Sequence, residues 1–283
     1  MTDFRQPDIL HYQSVEISPL VRRVTAGNSG IMTGPGTNAY IVGREQLALI
    51  DPGPLDSRQI DALLDVCGER LRWIIATHTH RDHSPAARPL AEATGAQLLG
   101  NLVGDDDGKQ DATFAPERAF AHGEVFVTPE FRLRALLTPG HVGNHVCFLL
   151  EDEGLLLTGD HVMEGTTVVV IPPSGDMSDY IESLRMLAAH PLAAIAPAHG
   201  RLIFEPRREL ERLVRHRLLR EAKVVSVMQQ VRRGSLDDIT PPVYNDVQPQ
   251  LHPIARYSLW AHLIKLQREG RVAEADGEWR WID

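Results

Sequence analysis

The stretch THTHRDHSPAA, residues 77–87, places three histidines and an aspartate within positions 78–83. What surrounds this cluster constrains the fold more than the cluster does. It ends an apolar run, WIIATH, and three further apolar runs also end on a metal-competent side chain: LLTPGH at His141, LLLTGD at Asp160 and AAIAPAH at His199. Runs of four to six apolar residues bounded by turn signals read as strands. A strand delivers its C-terminal end to the edge of its sheet, where loops gather distant side chains into one site. Residues i and i+2 of an extended chain project to the same side, so His78 and His80 are placed to face one ion. Asp82 and His83 fall after the chain has turned and face a second. Two ions about 3.5–4 Å apart share a carboxylate, and Asp160, alone at the end of its run, is the natural bridge. Five histidines and two aspartates supply nitrogen ligands suited to zinc, iron, nickel or copper, with carboxylates to bridge or balance charge.

Between about 14 and 200 other short apolar runs (AYIVG, LALIDPG, AQLLG, HVCFLLE) alternate with Gly/Pro turns. Two helical patterns interrupt them. DSRQIDALLDVCGER opens on an Asp/Ser cap and repeats Ile60, Leu63, Leu64 and Cys67. SDYIESLRMLAAH opens on a serine and puts Ile181, Leu184, Leu187 and Ala188 on one face. The pattern predicts a layered α/β (α+β) architecture. After residue 204 the texture changes to a long helical pattern ending at Gly234, a polar Pro-containing stretch (235–250), and a second helix over LHPIARYSLWAHLIKLQREG. RVAEADGEWRWID then fits a hairpin around Asp276-Gly277. Helices followed by a two-stranded wing outline a winged-helix-like module, which divides the chain into 1–204 and 205–283.

At 283 residues the chain is long enough for one large domain with an appendage. No run approaches the eighteen or more apolar residues of a membrane span. The N-terminus carries no basic start followed by an apolar core, and a cytoplasmic location is the expectation. Cys67 and Cys147 sit in apolar surroundings and read as buried thiols. The net charge of −9 is uneven. Residues 1–200 hold 14 basic and 26 acidic side chains, whereas residues 201–283 hold 15 and 12. The stretch 205–234 has nine basic and four acidic residues, either a solvated helix with pairs among Glu205, Arg208, Glu209 and Arg212 or a surface for RNA phosphates or an acyl-carrier partner.

His78-Thr79-His80-Arg81-Asp82-His83, with TPGH, TGD and PAHG downstream, resembles the signature of the metallo-β-lactamase-fold superfamily. The resemblance implies an αββα sandwich that binds two divalent ions. His78, His80 and His141 would hold one ion, Asp82, His83 and His199 the other, with Asp160 between them. In LIDPG, Asp51 would orient a ligand histidine. GPGTNAYIVG, GDHVMEGTTVVV and the C-terminal LHPIARYSLWAHLIKLQREGRV resemble the lactamase-beta-like-2 group, whose members carry a winged-helix-like tail and include an endoribonuclease and acyl-carrier thioesterases.

Two divalent ions, zinc first and iron or manganese as alternatives, lower the pKa of a shared water to roughly 7. The expected enzyme is therefore a metallohydrolase that uses a bridging hydroxide on a thioester, ester or lactone. The alternative is a metal-dependent endoribonuclease cleaving single-stranded RNA at the same site. Asp82 and Asp160 are assigned to the reaction as well as to the metals. His145 is placed to donate to a ligand carboxylate, to act as acid for the leaving group, or to pack. Asn38, beside Thr37 in the Gly-rich turn, is expected at the site mouth as a substrate-positioning group, and Thr158 is expected to support Asp160. Ser84 and Thr79 read as turn and strand-end hydrogen bonders, and His161 is expected to point away. Substrate choice is expected in the 30–40 and 101–130 loops and the C-terminal module, which equally fits a contact in a homo-oligomer. A true β-lactamase, a flavin-linked di-iron electron carrier and a non-catalytic scaffold are less consistent with the complete His/Asp set.

Overall fold

Apolar runs without strict alternation call for strands buried on both faces, and the computed structural model, which describes residues 2–104 and 108–282, has that arrangement. One sheet has the order β1 (Ser14–Glu16), β2 (Val21–Thr25), β3 (Asn38–Val42), β4 (Leu47–Ile50), β5 (Leu71–Ile75), β6 (Gln97–Leu99). The second runs from β7 (Val125–Val127) through β8 (Arg132–Leu137), β9 (Val146–Leu150) and β10 (Leu155–Gly159) to β11 (Ala194–Pro197). Successive side chains go to opposite faces. Tyr40, Val42, Ala48, Ile50, Phe148 and Leu150 fill the core between the sheets. Ala39, Ile41, Leu47 and Leu49 pack instead under α1 (Ser57–Cys67) and α2 (Ala87–Thr94). Cys147 and Leu149 pack under α3 (Met177–Ala188) and the first turns of α4 (Pro206–Val231). The layers are therefore helix, sheet, sheet, helix.

Parallel pairing orients the strand ends that matter. β4 pairs parallel with β5, and β10 with β11, so their C-terminal ends reach one edge of the sandwich. Two seams close that edge: Val146 N–H donates to Thr77 O at 2.8 Å, and Asn38 N–H to Ala198 O at 2.7 Å. Gly159, at φ 48°, sits where the β10–β11 register shifts. A Cβ there would lie 2.4 Å from Thr77 Oγ1 and 2.7 Å from His145 Nε2, so only glycine lets β10 pass this close.

α1 starts at the Asp56 cap as the sequence indicates. α3 begins earlier than Ser178, because Asp176 accepts the Ser178 and Asp179 N–H groups. The C-terminal part departs further from expectation. α4 stops at Val231, and Arg233–Ser235 is a strand, β12, rather than the end of the helix. β12 pairs with β14 (Glu278–Trp281), which also pairs with β13 (Val272–Ala275), so the wing has three strands instead of two. Its hairpin turns at Asp276-Gly277, both at positive φ, as the two-residue turn demands. The stretch read as a polar connection contains α5 (Leu236–Val243). A capping box between Ser235 and Asp238 starts it, and Ile239 and Val243 bury their side chains. Pro241 and Pro242 masked this helix in the sequence. α6 (His252–Arg268) completes a separate core with Val224, Met228, Ile239, Leu259, Leu263 and Trp279. α4 serves both cores, through Leu210 and Leu213 at one end and Val224 to Met228 at the other. Along α4, Arg208 pairs with Glu205 and Arg212 with Glu209, each at i,i+3 spacing.

Candidate metal centre

The edge described above gathers seven side chains. His78 and His80 follow β5, Asp160 follows β10, His199 follows β11, and His141 lies beyond the end of β8. Asp82 and His83 come after a turn in which His83 N–H donates to His80 O at 3.0 Å. Ligand-type atoms of His78, His80, His141 and Asp160 lie within 4.8 Å of one another, and so do those of Asp82, His83, Asp160 and His199. Asp160 belongs to both groups.

Four of the five rings are held from behind. His83 Nδ1 is 3.0 Å from Asp51 Oδ2, His141 Nδ1 2.8 Å from Val169 O, His199 Nδ1 3.1 Å from Gly36 O, and His78 Nδ1 3.0 Å from Thr77 Oγ1. The Val169 and Gly36 carbonyls only accept, and the Thr77 hydroxyl is spent on Asp51 Oδ2. Nδ1 is thus the protonated nitrogen of His78, His141 and His199, and Nε2 turns toward the cluster. The supporting groups orient the ligands as metal sites require.

The donor set fits cations. His78 Nε2 and His141 Nε2 lie 2.9 and 3.1 Å from His80 Nδ1, near the roughly 3.3 Å separation of nitrogens bound tetrahedrally at 2.0–2.1 Å. His83 Nε2, His199 Nε2 and Asp160 Oδ1 are buried and find no aligned hydrogen-bond partner, although Asp160 Oδ1 is 3.4 and 3.1 Å from the two nitrogens. Buried polar atoms aimed at a common point without partners are costly unless something binds them.

The two groups differ in charge state. Burial lowers the pKa of His78 far below the usual imidazole value, and neighbouring imidazoles add to it. Burial likewise holds His80 down to about 4 and lowers His141. On the other side burial also opposes protonation, but carboxylates outweigh it. Asp82, Asp160 and Asp51 raise His83 well above its usual range, and Asp160 and Asp82 raise His199 to about 10. Burial pushes against ionisation of Asp82 and Asp160, yet the adjacent imidazoles hold both carboxyls well below the ordinary range.

Asp51 stands where the sequence places it. Oδ1 accepts the Thr77 N–H at 2.7 Å, while Oδ2 accepts the Thr77 hydroxyl and faces His83. Its φ of 51° is a left-handed conformation that aspartate tolerates. Asn38 is not at the mouth. It is fully buried, accepts from Thr25 Oγ1, and donates to Pro197 O and Gly200 O, so it ties down the loop that carries His199. The Thr158 hydroxyl donates to Val162 O, not to Asp160. His145 is buried, pairs with the Thr138 hydroxyl at 2.9 Å, and lies between the His78 and His161 rings without a hydrogen bond to either aspartate of the cluster. His161 turns away and rests on Tyr180. Thr79 bonds to Gln110 at 2.6 Å and Ser84 to Asp111 at 2.7 Å.

Sequence reasoning missed Thr77, the Gly36 and Val169 carbonyls, and the Asn144 amide that donates to Thr79. Backbone acceptors leave no trace in residue identity, except that Gly36, at φ 127°, has no room for a Cβ against Ala26 O. Of the loops expected to choose the substrate, 30–40 and the C-terminal module line one cavity with His199. None of the described residues of the 101–130 segment lines that cavity; residues 105–107 lie outside the described residues.

Residues 32–199 match the model of the metallo-beta-lactamase superfamily, and residues 235–281 that of the beta-lactamase associated winged helix domain. The chain is 31% identical to the beta-lactamase-like protein 2 homolog of Drosophila melanogaster, over 89% of each chain. It is also 31% identical to an atrochrysone carboxyl ACP thioesterase of Aspergillus fumigatus, over 77% of this chain and 67% of that one. A lactamase-like protein of Arthroderma benhamiae is longer, and the match spans only 62% of it. Among solved structures, a beta-lactamase domain protein from Burkholderia ambifaria superposes with a TM-score of 0.79 at 18% identity, over 99% of this chain and 97% of that one. The chain belongs to the metallo-beta-lactamase superfamily of hydrolases and carries the winged helix domain associated with it.

Proposed function

We propose that the protein is a binuclear metal-dependent hydrolase of thioesters, esters or lactones, with residues 1–204 as its catalytic domain and 205–283 as a module that walls the substrate cleft. The observation that carries this reading is the membership of Asp160 in both ligand groups. His78, His80 and His141 would hold one ion, Asp82, His83 and His199 the second, and Asp160 both. Zinc suits the histidine-rich set, and iron or manganese would also be accepted. Two ions held there would supply a water of lowered pKa and a Lewis acid for the carbonyl oxygen of the substrate. This chain's residues fix ring orientations from behind, keep the His78, His80 and His141 rings neutral at neutral pH, and leave Asp82 partly exposed toward solvent. His145, sealed behind His78, acts as support for that ring and not as the acid for the leaving group.

The thioesterase name of one relative favours an acyl substrate, delivered on a carrier protein or as a small molecule. The ribonuclease alternative draws less support. Four of the seven Arg and Lys side chains of α4 are paired with carboxylates, Arg208 with Glu205, Arg212 with Glu209, and Arg220 and Lys223 with Asp246, and Arg217 is buried. The deciding experiment assays the metal-loaded protein against acyl thioesters, lactones and single-stranded RNA, with Asp160→Asn as the blank, after counting bound metal. Close to two ions per chain and thioester or lactone turnover are expected. Fewer than one ion under metal-replete conditions, or turnover of RNA alone, overturns the reading.

A further inference from the structure

Beside the cluster lies a cavity of about 950 Å³, at the upper end of the range for small-molecule sites. His199 belongs both to its wall and to the cluster, so the cavity borders the candidate metal centre. Its lining is mainly apolar: Ile31 and Met32 from the turn before β3, Val168 after β10, and Val247, Leu251 and Ile254 from the C-terminal module. Ile31 is 75% and Met32 48% exposed, large apolar side chains left to water on the rim of a cleft.

The cations of the lining are not equivalent. Arg220 pairs with Asp246, and Arg201 with Asp8. Arg217 on α4 is 2% exposed, donates to Val168 O and stacks over the Tyr180 ring. Among the described residues no carboxylate lies within ion-pair distance of it, and its Nε is buried without a hydrogen-bond partner. A buried guanidinium without a counter-ion is destabilising unless a ligand completes it. The neighbouring His216 does not do so: an imidazole carries no negative charge, and its Nδ1 is itself buried without a hydrogen-bond partner.

We propose that this cavity is the acyl pocket of the site, taking the acyl part of a thioester whose body is a bulky, largely apolar chain or ring system and which carries an anionic oxygen that pairs with Arg217. The inference rests on the hydrolase reading and narrows it to a substrate class. In the reaction a water oxygen bonds to the acyl carbon, the carbon–sulfur bond breaks, and the thiol departs with a proton, leaving the acid in the pocket.

The test uses the full-length, metal-loaded protein and N-acetylcysteamine thioesters with a constant leaving group: acetyl, hexanoyl, decanoyl, and a decanoyl ending in a carboxylate. Burying each methylene is worth about threefold to fourfold, so kcat/KM should rise at least a hundredfold from acetyl to decanoyl, and further for the carboxylated chain. Ala255→Trp, which places an indole in the cavity, should collapse the decanoyl-to-acetyl ratio to below about fivefold. Arg217→Met should erase the advantage of the carboxylated chain over decanoyl. A readout free of turnover is 1-anilinonaphthalene-8-sulfonate, an apolar ring system with an anionic group. It should bind one per chain, be displaced by decanedioate, and lose affinity in Ala255→Trp. A series flat within threefold, or probe binding untouched by Ala255→Trp, overturns the acyl pocket while leaving the hydrolase intact. No turnover of any thioester by protein holding two ions overturns the thioester reading itself.

Discussion

The two halves of the cluster use the same side chain in opposite ways. His78, His80 and His141 are imidazoles that burial keeps neutral, offering lone pairs to a cation at no cost in protons. His83 and His199 are surrounded by Asp51, Asp82 and Asp160 and hold protons instead. In the protein without metal, those protons stand where a divalent ion would balance the carboxylates. The same ligand type therefore makes one site ready to bind and one that binds by exchange, because a single carboxylate, Asp160, reaches the first group whereas Asp51 and Asp82 add theirs to the second. Asp160 is the point at which the halves meet.

The largest effect is expected from removing that meeting point. Asp160→Asn withdraws a charge from both halves at once, and on the proposed reading the bound ions would contribute several kcal/mol of transition-state stabilisation. At tenfold per 1.36 kcal/mol, kcat should fall by roughly a thousandfold or more, with metal content below two per chain. A variant with full activity and two ions would remove Asp160 from the bridging position.

Asp51→Asn acts on one half only. Asparagine tolerates the left-handed backbone at this position, so the loop is preserved while the carboxylate behind His83 is neutralised. Loss of such a supporting partner typically weakens metal affinity by about 10–100-fold. Calorimetric titration should show one site weakened by that factor and the other unchanged. Equal weakening of both would mean that the halves do not behave separately.

The comparison also fixes a pH dependence. His199 has its pKa raised to about 10 and His83 is raised as well, so metal entering their half must displace protons. Affinity there should climb with pH through the neutral range, by up to about tenfold per unit for each proton released. The other half, with His80 at about 4, should be nearly flat above pH 6. For the metal-free protein the sign reverses. A pKa raised on folding stabilises below the unfolded value near 6.5, and that stabilisation is lost as pH rises toward 10. Metal-free Tm should therefore fall from pH 7 to 10, measured by calorimetry with chelator present. A Tm that rises over that range would contradict protonated His83 and His199.

The ligand half of this picture was legible in the sequence and the supporting half only partly. Strand ends announce themselves as apolar runs stopped by His141, Asp160 and His199, and the HxHxDH spacing separates i,i+2 residues from those beyond the turn. Asp51 came only from the resemblance of LIDPG to the family pattern, and the structure puts it behind His83. The misplacements have a common cause. Asn38 and Thr158 are polar residues at strand ends, just where ligands occur, yet their side chains are consumed by backbone carbonyls of Pro197, Gly200 and Val162. Only tertiary structure shows which polar group has a free lone pair. α5 was hidden by its two prolines, and Arg217 looked like one more charge on a solvated helix, although folding buries it.

The smallest effect should come from Thr77, and it tests whether the halves communicate. Its hydroxyl donates to Asp51 Oδ2 at 2.7 Å and lies 3.0 Å from His78 Nδ1, so one oxygen touches the support of His83 and a ring of the opposite group. Thr77→Val keeps the shape and removes the oxygen. Asp51 retains the Thr77 N–H and His83 as partners, whereas His78 Nδ1–H loses its acceptor in a buried site. A buried donor left unsatisfied costs about 1–3 kcal/mol, and the loss falls chiefly on the His78 half. Unfolding by denaturant should show a stability decrease in that range, with a few-fold loss of metal affinity confined to the site that Asp51→Asn spares. If Thr77→Val instead weakened the His83 site by as much as Asp51→Asn does, the hydroxyl would be the organising group and the Asp51 carboxylate its partner.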